Sequence, residues 1–280
     1  MAKDQDLGSS TGFGDVDRHP DTAGLIAAMK AADAYPGVSS LRSWLANELR
    51  LRLADSVIDV GCGPGASTFA LCDVVGRDGR VVGIDSSAAM IDAAQDAAPS
   101  NLHIRFATGD ASALETPDGS FDAYRSERTY QWLANPTKAL AEALRVVRPG
   151  GRIGVIDTDW GTLALDHPDG TLSERLAGRV RGYQPGPLIG RQLLRLFRSA
   201  GIEDLDVRVE TIVATEWEPS STPGVAGVVP FAIAARQATD AGVLTAREAS
   251  DWLTGLEQAA ADGCFFLCVN IIGVVGSRPR

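Results

Sequence analysis

The feature that most constrains the fold is a glycine-rich turn between a short apolar run and a helical pattern. Ser56–Val60 (SVIDV) is rich in β-branched residues and leads into the turn GCGPG at residues 61–65, after which Ala66–Val75 shows helical periodicity. Backbone without Cβ atoms lets N–H groups approach a ligand closely, and a helix N-terminus favours negative charge. The unit predicts strand, tight turn and helix, with a ligand at the turn.

The spacing around this turn narrows the ligand to two candidates. Gly61, Gly63 and Ala66 satisfy the dinucleotide fingerprint, and Asp85 ends the next strand-like run. A carboxylate about twenty residues beyond the fingerprint can accept hydrogen bonds from ribose hydroxyls. This spacing admits both NAD and S-adenosylmethionine.

Strand-like and helical runs alternate between residues 56 and 157. Parallel neighbours need a crossover, so the alternation favours βαβ units. We predict an α/β fold: a Rossmann-like, doubly wound, mostly parallel sheet of seven strands, with N-terminal helices and a helical lid insertion before the last strand. The predicted strands are Ser56–Val60, Arg80–Ile84, Leu102–Ala107, Phe121–Arg125, Arg152–Asp157, Leu205–Thr215 and Cys264–Val275.

The domain prediction is a flexible tail at residues 1–20 and a single domain at residues 21–280. Within that domain, residues 21–53 and 219–262 are the predicted lid elements over a ligand cleft, and the second contains a predicted helix over Ala246–Ala261. A helical pair that packs against the sheet without a gating role is the alternative for the second element.

Composition excludes several classes of partner. Lys and Arg number 26 against 36 Asp and Glu, a formal net charge of −10, which disfavours a nucleic-acid partner. The polar first twenty residues lack the apolar core of a secretory signal, and the longest apolar stretch is shorter than the roughly 20 residues of a membrane span. Four cysteines without a CxxC pair and three histidines indicate no structural metal and a reducing, cytoplasmic location.

Residues outside the fingerprint discriminate between the two ligands. Asp59 at the strand end, Gly65, Asp110 in the ATGDA segment and the RPGGR turn at residues 148–152 together resemble the class I S-adenosylmethionine-dependent methyltransferases. A carboxylate such as that of Asp59 is unfavourable beside a pyrophosphate but tolerable beside a sulfonium cation. S-adenosylmethionine is therefore the expected cofactor.

The resemblance implies a role for each matching position. Its glycine-loop positions are Asp59, Gly61 and Gly63, expected beside the methionine moiety. Asp85, followed by Ser86, is expected at the ribose. Asp110 and Ala111 are expected at the adenine, and Arg125, at a strand terminus, is expected to face the cofactor side.

A second stretch narrows the resemblance. Residues 120–133 (SFDAYRSERTYQWL), followed by Asn135-Pro136, resemble the ubiquinone/menaquinone-biosynthesis-like small-molecule methyltransferases. Many of those relatives have a histidine near the position of Trp132, which this chain lacks. Trp132 is either plain core or a wall suited to a flat, apolar acceptor.

Methyl transfer from a sulfonium is an in-line displacement that chiefly needs alignment and exclusion of water, so a base is optional. The candidate acid–base residues are Glu127, Asp159 and His167. The alternative for Glu127 is a surface ion pair, and the alternative for His167 is a solvated loop histidine.

The expected function is methyl transfer to a small apolar or aromatic metabolite by a monomer or homodimer. The alternative is a cyclase or pericyclase of the same fold that keeps S-adenosylmethionine only as support, or lacks it.

Overall fold

The computed structural model describes residues 14–18, 22–33, 35–100, 102–181, 185–218 and 231–280. Its strands are β1 (Ser56–Val60), β2 (Arg80–Asp85), β3 (Ile104–Thr108), β4 (Phe121–Glu127), β5 (Val147–Leu165), β6 (Glu203–Ala214) and β7 (Leu267–Ser277). They form one seven-stranded sheet in the order β3-β2-β1-β4-β5-β7-β6. The first five strands pair in parallel, and β7 is antiparallel to both of its neighbours. The predicted Rossmann-like, mostly parallel sheet is confirmed.

Helices flank this sheet and precede it. They are α1 (Thr22–Ala32), α2 (Pro36–Glu48), α3 (Ala66–Val75), α4 (Ala88–Ala97), α5 (Pro136–Val146), α6 (Gly170–Arg181), α7 (Ile189–Ser199), α8 (Phe231–Asp240) and α9 (Ala246–Ala261), with 3-10 turns at Val16–Arg18 and Tyr130–Trp132. Two helices, α8 and α9, lie between β6 and β7, where the sequence predicts an insertion.

Apolar residues cover both faces of the sheet. Val57 of β1 belongs to one buried cluster, whereas Ile58 and Val60 belong to another. Because successive strand residues point to opposite faces, the two clusters lie on opposite sides of β1. Helices α2, α3, α8 and α9 contribute to the first cluster, and α5 and α7 to the second.

The strand order indicates where a ligand crevice lies. From β1 the chain passes through α3 to β2 on one side, while β4 lies on the other. In open α/β sheets, ligands bind beyond the carboxyl ends of the strands where the order reverses in this way. The glycine turn after β1 and residues 128–132 after β4 both lie at this point.

Strand β5 is longer than predicted. It continues from Asp157 to Leu165, where it pairs with Leu267 of β7 after a register shift between Asp159 and Ala164. The local periodicity past Asp157 is weak, and the partner strand, more than a hundred residues away, extends β5. Trp160 and Leu163 are buried in this extension.

The N-terminal segment lies against the fold at residues 14–18. Val16 is 5% exposed and packs with Leu25 of α1 and Met90 of α4. Residues 1–13, 19 and 20 of the predicted tail, and residues 219–230 of the second predicted lid element, lie outside the described part of the chain. No helix in the described ranges has the length and apolar character needed to cross a bilayer.

Candidate functional site

The glycine turn packs so closely against two other segments that side chains are excluded from it. Gly61 has φ +75°, and a Cβ on it would lie 1.9 Å from Oγ1 of Thr129. Gly63 has φ +52° and lies against Met29 of α1. The N–H groups of Gly61 and Cys62 donate to the carbonyl of Ile84 at 2.7 and 3.0 Å, which ties the turn to the end of β2. Left-handed backbone and close neighbours together require glycine here.

Asp85, at the end of β2, joins this turn to helix α4. Its Oδ2 accepts the N–H of Gly63 at 2.8 Å, and its Oδ1 accepts the N–H of Ser87 at 3.0 Å. Burial raises the pKa of this carboxyl, and the two backbone donors oppose the rise. Each carboxylate oxygen has a second lone pair, so the group can accept further hydrogen bonds from a ligand.

Asp110 and Ala111 follow β3, the neighbour of β2. The Asp110 carboxylate accepts the N–H of Ser112 at 2.7 Å, an Asx turn that leaves the side chain exposed. Ala111 is buried. Asp85 and Asp110 therefore present two carboxylates from adjacent strand ends to the same crevice.

A cavity of about 1190 Å³, open to solvent, lies at these strand ends; we call it the strand-end cavity. On the side of β1 to β3 it is lined by Gly14, Val16, Met29, Val60, Gly61, Asp85, Ser86, Met90, Gly109, Asp110 and Ala111. On the side of β4 to β7 it is lined by Glu127, Arg128, Thr129, Gln131, Trp132, Leu133, Thr158, Trp160, Ile212 and Val269. Five of the ten residues on this second side are apolar: Trp132, Leu133, Trp160, Ile212 and Val269.

Behind the glycine turn lies a buried ionic network centred on Arg125 of β4. Its Nη1 donates to both oxygens of Asp59 at 2.9 Å, and its Nη2 donates to Glu127 at 2.5 Å. Asp59 also accepts the hydroxyl of Thr68 at 2.7 Å. Asp59, Gly63 and Arg125, predicted to contact the cofactor, do not line the strand-end cavity. Asp59 and Arg125 support the turn from behind, whereas Gly63 is part of the turn itself.

Glu127 is the point at which this network reaches the cavity. Arg42 of α2 donates to both Glu127 oxygens at 2.7 Å, and Arg128 lies 3.3 Å away. Burial opposes ionisation of Glu127, but Arg125, Arg128 and Arg42 outweigh it and hold its pKa at about 2. Asp33 pairs with Arg42 and Arg128 at 2.5 and 3.1 Å. Glu127 is thus a permanently ionised centre for three guanidinium groups, an arrangement unsuited to proton abstraction at neutral pH.

Gln131 organises the apolar side of the cavity. Its Oε1 accepts the indole N–H of Trp160 at 2.6 Å, and its Nε2 donates to the carbonyl of Arg128 at 3.0 Å. Its backbone N–H donates to the Asp157 carboxylate at 3.1 Å, and its carbonyl accepts the N–H of Gly186 at 2.8 Å. All four polar groups of Gln131 are therefore used to fix cavity walls.

Asp157 lies behind this unit, fully buried at the end of the parallel part of β5. The N–H of Thr158 donates to it at 2.8 Å. Burial raises its pKa to about 7, although backbone N–H donors from Thr158, Gln131 and Tyr130 act in the opposite direction. Asp157 is a buried carboxyl that titrates near neutral pH.

The remaining two candidate acid–base residues lie away from the cavity lining. Asp159 is 2% exposed, and its Oδ2 accepts a hydrogen bond from Nε of Arg191 at 2.6 Å. His167 is 8% exposed and stacks on Trp252 at 5.9 Å between ring centroids. Its Nε2 donates to the carbonyl of Trp252 at 2.9 Å, and its Nδ1 accepts the N–H of Asp169 at 2.9 Å. His167 links the segment after β5 to α9.

Sequence reasoning singled out neither Gln131 nor Trp160 as a wall-forming residue, and it left Trp132 open. The structure places Trp132 half-buried in the cavity lining. The available signal was positional, because the segments YQW and DTDW each follow a predicted strand of the sheet.

Comparisons with known proteins agree with this architecture. A family described as "Methyltransferase domain" matches residues 58–155. An uncharacterised 37.1 kDa protein from a Streptomyces fradiae transposon is 34% identical over 257 residues, covering 91% of this chain and 71% of that protein. A demethylmenaquinone methyltransferase of Lactococcus lactis is 36% identical over 132 residues, covering 44% of this chain and 50% of that enzyme. The chain thus spans about half the length of that enzyme.

Solved structures share the fold. The YcgJ protein of Bacillus subtilis has a TM-score of 0.59 at 19% identity, covering 86% of this chain and 99% of that one. The cyclase SpnF has a TM-score of 0.51 at 24% identity, covering 86% and 81%.

The sheet order, the glycine turn and the strand-end carboxylates define a Rossmann-like transferase of the methyltransferase type. The chain belongs to the class I S-adenosylmethionine-dependent methyltransferases. This confirms the predicted family.

Proposed function

We propose that this chain transfers the methyl group of S-adenosylmethionine to a small apolar or aromatic acceptor. One observation carries the proposal: two strand-end carboxylates and the glycine turn line one side of the strand-end cavity, and an apolar wall forms half of the other side. Trp132, Leu133, Trp160, Ile212 and Val269 form that wall. The first side suits a nucleoside with a cationic sulfur, and the second suits a ligand with few polar groups.

The cofactor roles divide into contacts and supports. Asp85 and Ser86 are the proposed ribose contacts, Asp110 and Ala111 the adenine contacts, and Gly61 the close-approach site for the methionine part. The position of Gly61 in the cavity lining and the open lone pairs of Asp85 fit such a ligand. Asp59 and Arg125 are assigned supporting roles because they do not line the strand-end cavity, and Gly63 is assigned one because its N–H donates to Asp85.

Catalysis on this proposal rests on alignment and desolvation. S-adenosylmethionine supplies the activated methyl group, and the Trp132 and Trp160 walls hold the acceptor facing it and exclude water. Glu127 has both oxygens committed to arginines, and Asp159 and His167 are committed elsewhere. We therefore replace the expected acid–base roles of these three residues with structural ones. The proposed acceptor is nucleophilic without a protein base.

Calorimetric titration tests the first half of the proposal. Wild-type protein should bind S-adenosylmethionine and S-adenosylhomocysteine with micromolar affinity and should not bind NAD. Binding of NAD alone would contradict the cofactor assignment.

An acceptor screen read out by release of S-adenosylhomocysteine tests the second half. Turnover with apolar aromatic compounds, and none with polar compounds of the same size, is the expected result. Product formed from an acceptor without any S-adenosylhomocysteine would favour the cyclase alternative, for which the fold shared with SpnF is the supporting observation.

The partner and location assignments are also proposals. The net charge of −10 supports a small-molecule acceptor over a nucleic acid. The cysteine pattern supports a cytoplasmic location. A monomer or a homodimer remains the proposed assembly, to be tested by light scattering.

A further inference from the structure

The segment at residues 14–18, which we call the N-terminal strap, forms part of the strand-end cavity wall. Gly14 and Val16 line the cavity on the same side as Asp85 and Ser86. A Cβ on Gly14 would lie 3.4 Å from the indole of Trp132, which belongs to the opposite side. The strap therefore reaches from the β2 end toward the apolar wall.

Asp17 fastens the strap to helix α4. Its Oδ1 accepts the hydroxyl of Ser87 at 2.5 Å and the N–H of Ala89 at 3.1 Å, and its Oδ2 accepts the N–H of Ala88 at 3.0 Å. Ser87 is the N-cap residue of α4, and its hydroxyl in turn accepts the N–H of Met90. The first three N–H groups of α4 are thus satisfied, two of them by a residue from seventy positions earlier in the chain.

This fastening lies next to the proposed ribose contact. Asp85 accepts the N–H of Ser87, the residue whose hydroxyl binds Asp17. The donors from Ser87 and the two alanines also lower the pKa of Asp17, so the anchoring carboxylate is ionised at neutral pH. Release of Asp17 would loosen the strap and leave three polar groups of the α4 N-terminus without their partner.

We infer that Asp17 is a positioning residue that holds the N-terminal strap across the cofactor side of the cavity and thereby slows dissociation of the bound adenosyl ligand. The inference rests on the proposed function. Val16, packed between α1 and α4, gives the strap a second point of attachment. Asp17 needs no contact with the ligand, because it acts through the strap and through the loop from Asp85 to Ser87.

The test is the dissociation rate of labelled S-adenosylhomocysteine, chased with unlabelled ligand from the full-length protein. Asp17→Ala should speed dissociation by about two- to thirtyfold, the range that corresponds to loss of one helix cap. Asp15→Ala is the matched control, since Asp15 lies in the same strap and pairs only with the exposed Arg18 among the interactions of the described residues. The dissociation rate of the ligand from Asp15→Ala should lie within about twofold of the wild-type rate.

A structural readout separates a positioning role from general destabilisation. Hydrogen exchange should show faster exchange of the Ala88 and Ala89 amides in Asp17→Ala, with unchanged protection in the strands of the sheet. If Asp17→Ala does not fold, Asp17→Asn, which keeps one oxygen acceptor without the charge, serves in its place with a smaller rate increase.

The outcomes distinguish the two proposals. Wild-type protein that binds no adenosyl ligand overturns the proposed function. Wild-type protein that binds the ligand, with Asp17 variants that release it as slowly as Asp15→Ala, overturns the strap inference alone.

Discussion

Both carboxylate oxygens of Asp59 accept a hydrogen bond from the same guanidinium nitrogen of Arg125, each at 2.9 Å. The pair bridges the carboxyl ends of β1 and β4, whose register places Asp59 opposite Arg125. Both side chains are almost fully buried. An acidic residue at the end of β1, which the resemblance assigns to the cofactor, here has an arginine as its partner, and the glycine turn is built on that pair.

Loss of Arg125 should destabilise the fold severely. Arg125→Ala leaves Asp59 and Glu127 without their shared cation, and we expect the free energy of unfolding to fall by about 3–5 kcal/mol, the cost of an uncompensated buried charge. Arg125→Lys should recover only part of this, because one ammonium group cannot reproduce the forked geometry. Urea unfolding measures both. The control is Arg247→Ala, whose pair with Asp251 is exposed and which should cost under about 0.5 kcal/mol. Equal losses in the two alanine variants would contradict the prediction.

Asp85 is expected to govern cofactor affinity. Asp85→Ala should weaken S-adenosylmethionine binding by about 1.5–3 kcal/mol, the scale of charge-assisted hydrogen bonds. Asp85→Asn should lose less, because one oxygen acceptor remains. Asp92→Ala removes an exposed carboxylate from the neighbouring helix α4 and should leave the affinity unchanged. Calorimetry on the three variants checks the order, and wild-type affinity in Asp85→Ala would refute the ribose assignment.

Local pattern predicted much of the fold. Ser56–Val60, Ala66–Val75 and Ala246–Ala261 have the predicted bounds, because in each case a turn or a cap residue ends an uninterrupted periodic run. Helix α9, for example, begins with a capping box between Thr245 and Glu248. The far end of β5 could not be predicted, since its partner Leu267 is distant in sequence.

The cavity lining was predictable from the sequence on the side of the glycine turn and less so on the opposite side. Gly61, Asp85 and Asp110 follow strand ends at fixed spacings, and topology brings such positions together. The roles of His167 and Asp159 depend on their neighbours Trp252 and Arg191, which no spacing in the sequence indicates. A position near a strand end does not show whether a side chain enters the crevice or points away from it.

We expect Gln131 to be coupled energetically to Trp160 of the cavity wall. Gln131→Met keeps the volume but leaves the indole N–H of Trp160 without its acceptor, so we expect a loss of about 1–3 kcal/mol in the free energy of unfolding. In a Trp160→Phe background the same change should cost about 1 kcal/mol less, because the unsatisfied donor is already gone. Affinity for S-adenosylhomocysteine should stay within about twofold of wild type. Additive losses in the double-mutant cycle would rule out this coupling.

Asp157 should make stability depend on pH in the neutral range. Because its pKa is raised from 3.8 to about 7, the folded state favours the protonated form. This contribution is fully present below the unfolded pKa and is lost as the pH rises through about 7. Between pH 5 and pH 8 the free energy of unfolding should therefore fall by roughly 2–3 kcal/mol from this residue alone.

Urea unfolding at both pH values, in wild type and Asp157→Asn, isolates that contribution. The asparagine variant should be less stable at pH 5, because an amide offers one acceptor oxygen where the carboxyl offers two, but its stability should change less with pH. Some dependence should remain, since the pKa of Asp85 is also raised. Asp122→Asn is the control: the pKa of Asp122 is lowered, so its titration lies below this range and the wild-type slope should persist. Parallel pH profiles for wild type and Asp157→Asn would mean that Asp157 is ionised throughout, held so by the backbone donors of residues 130, 131 and 158.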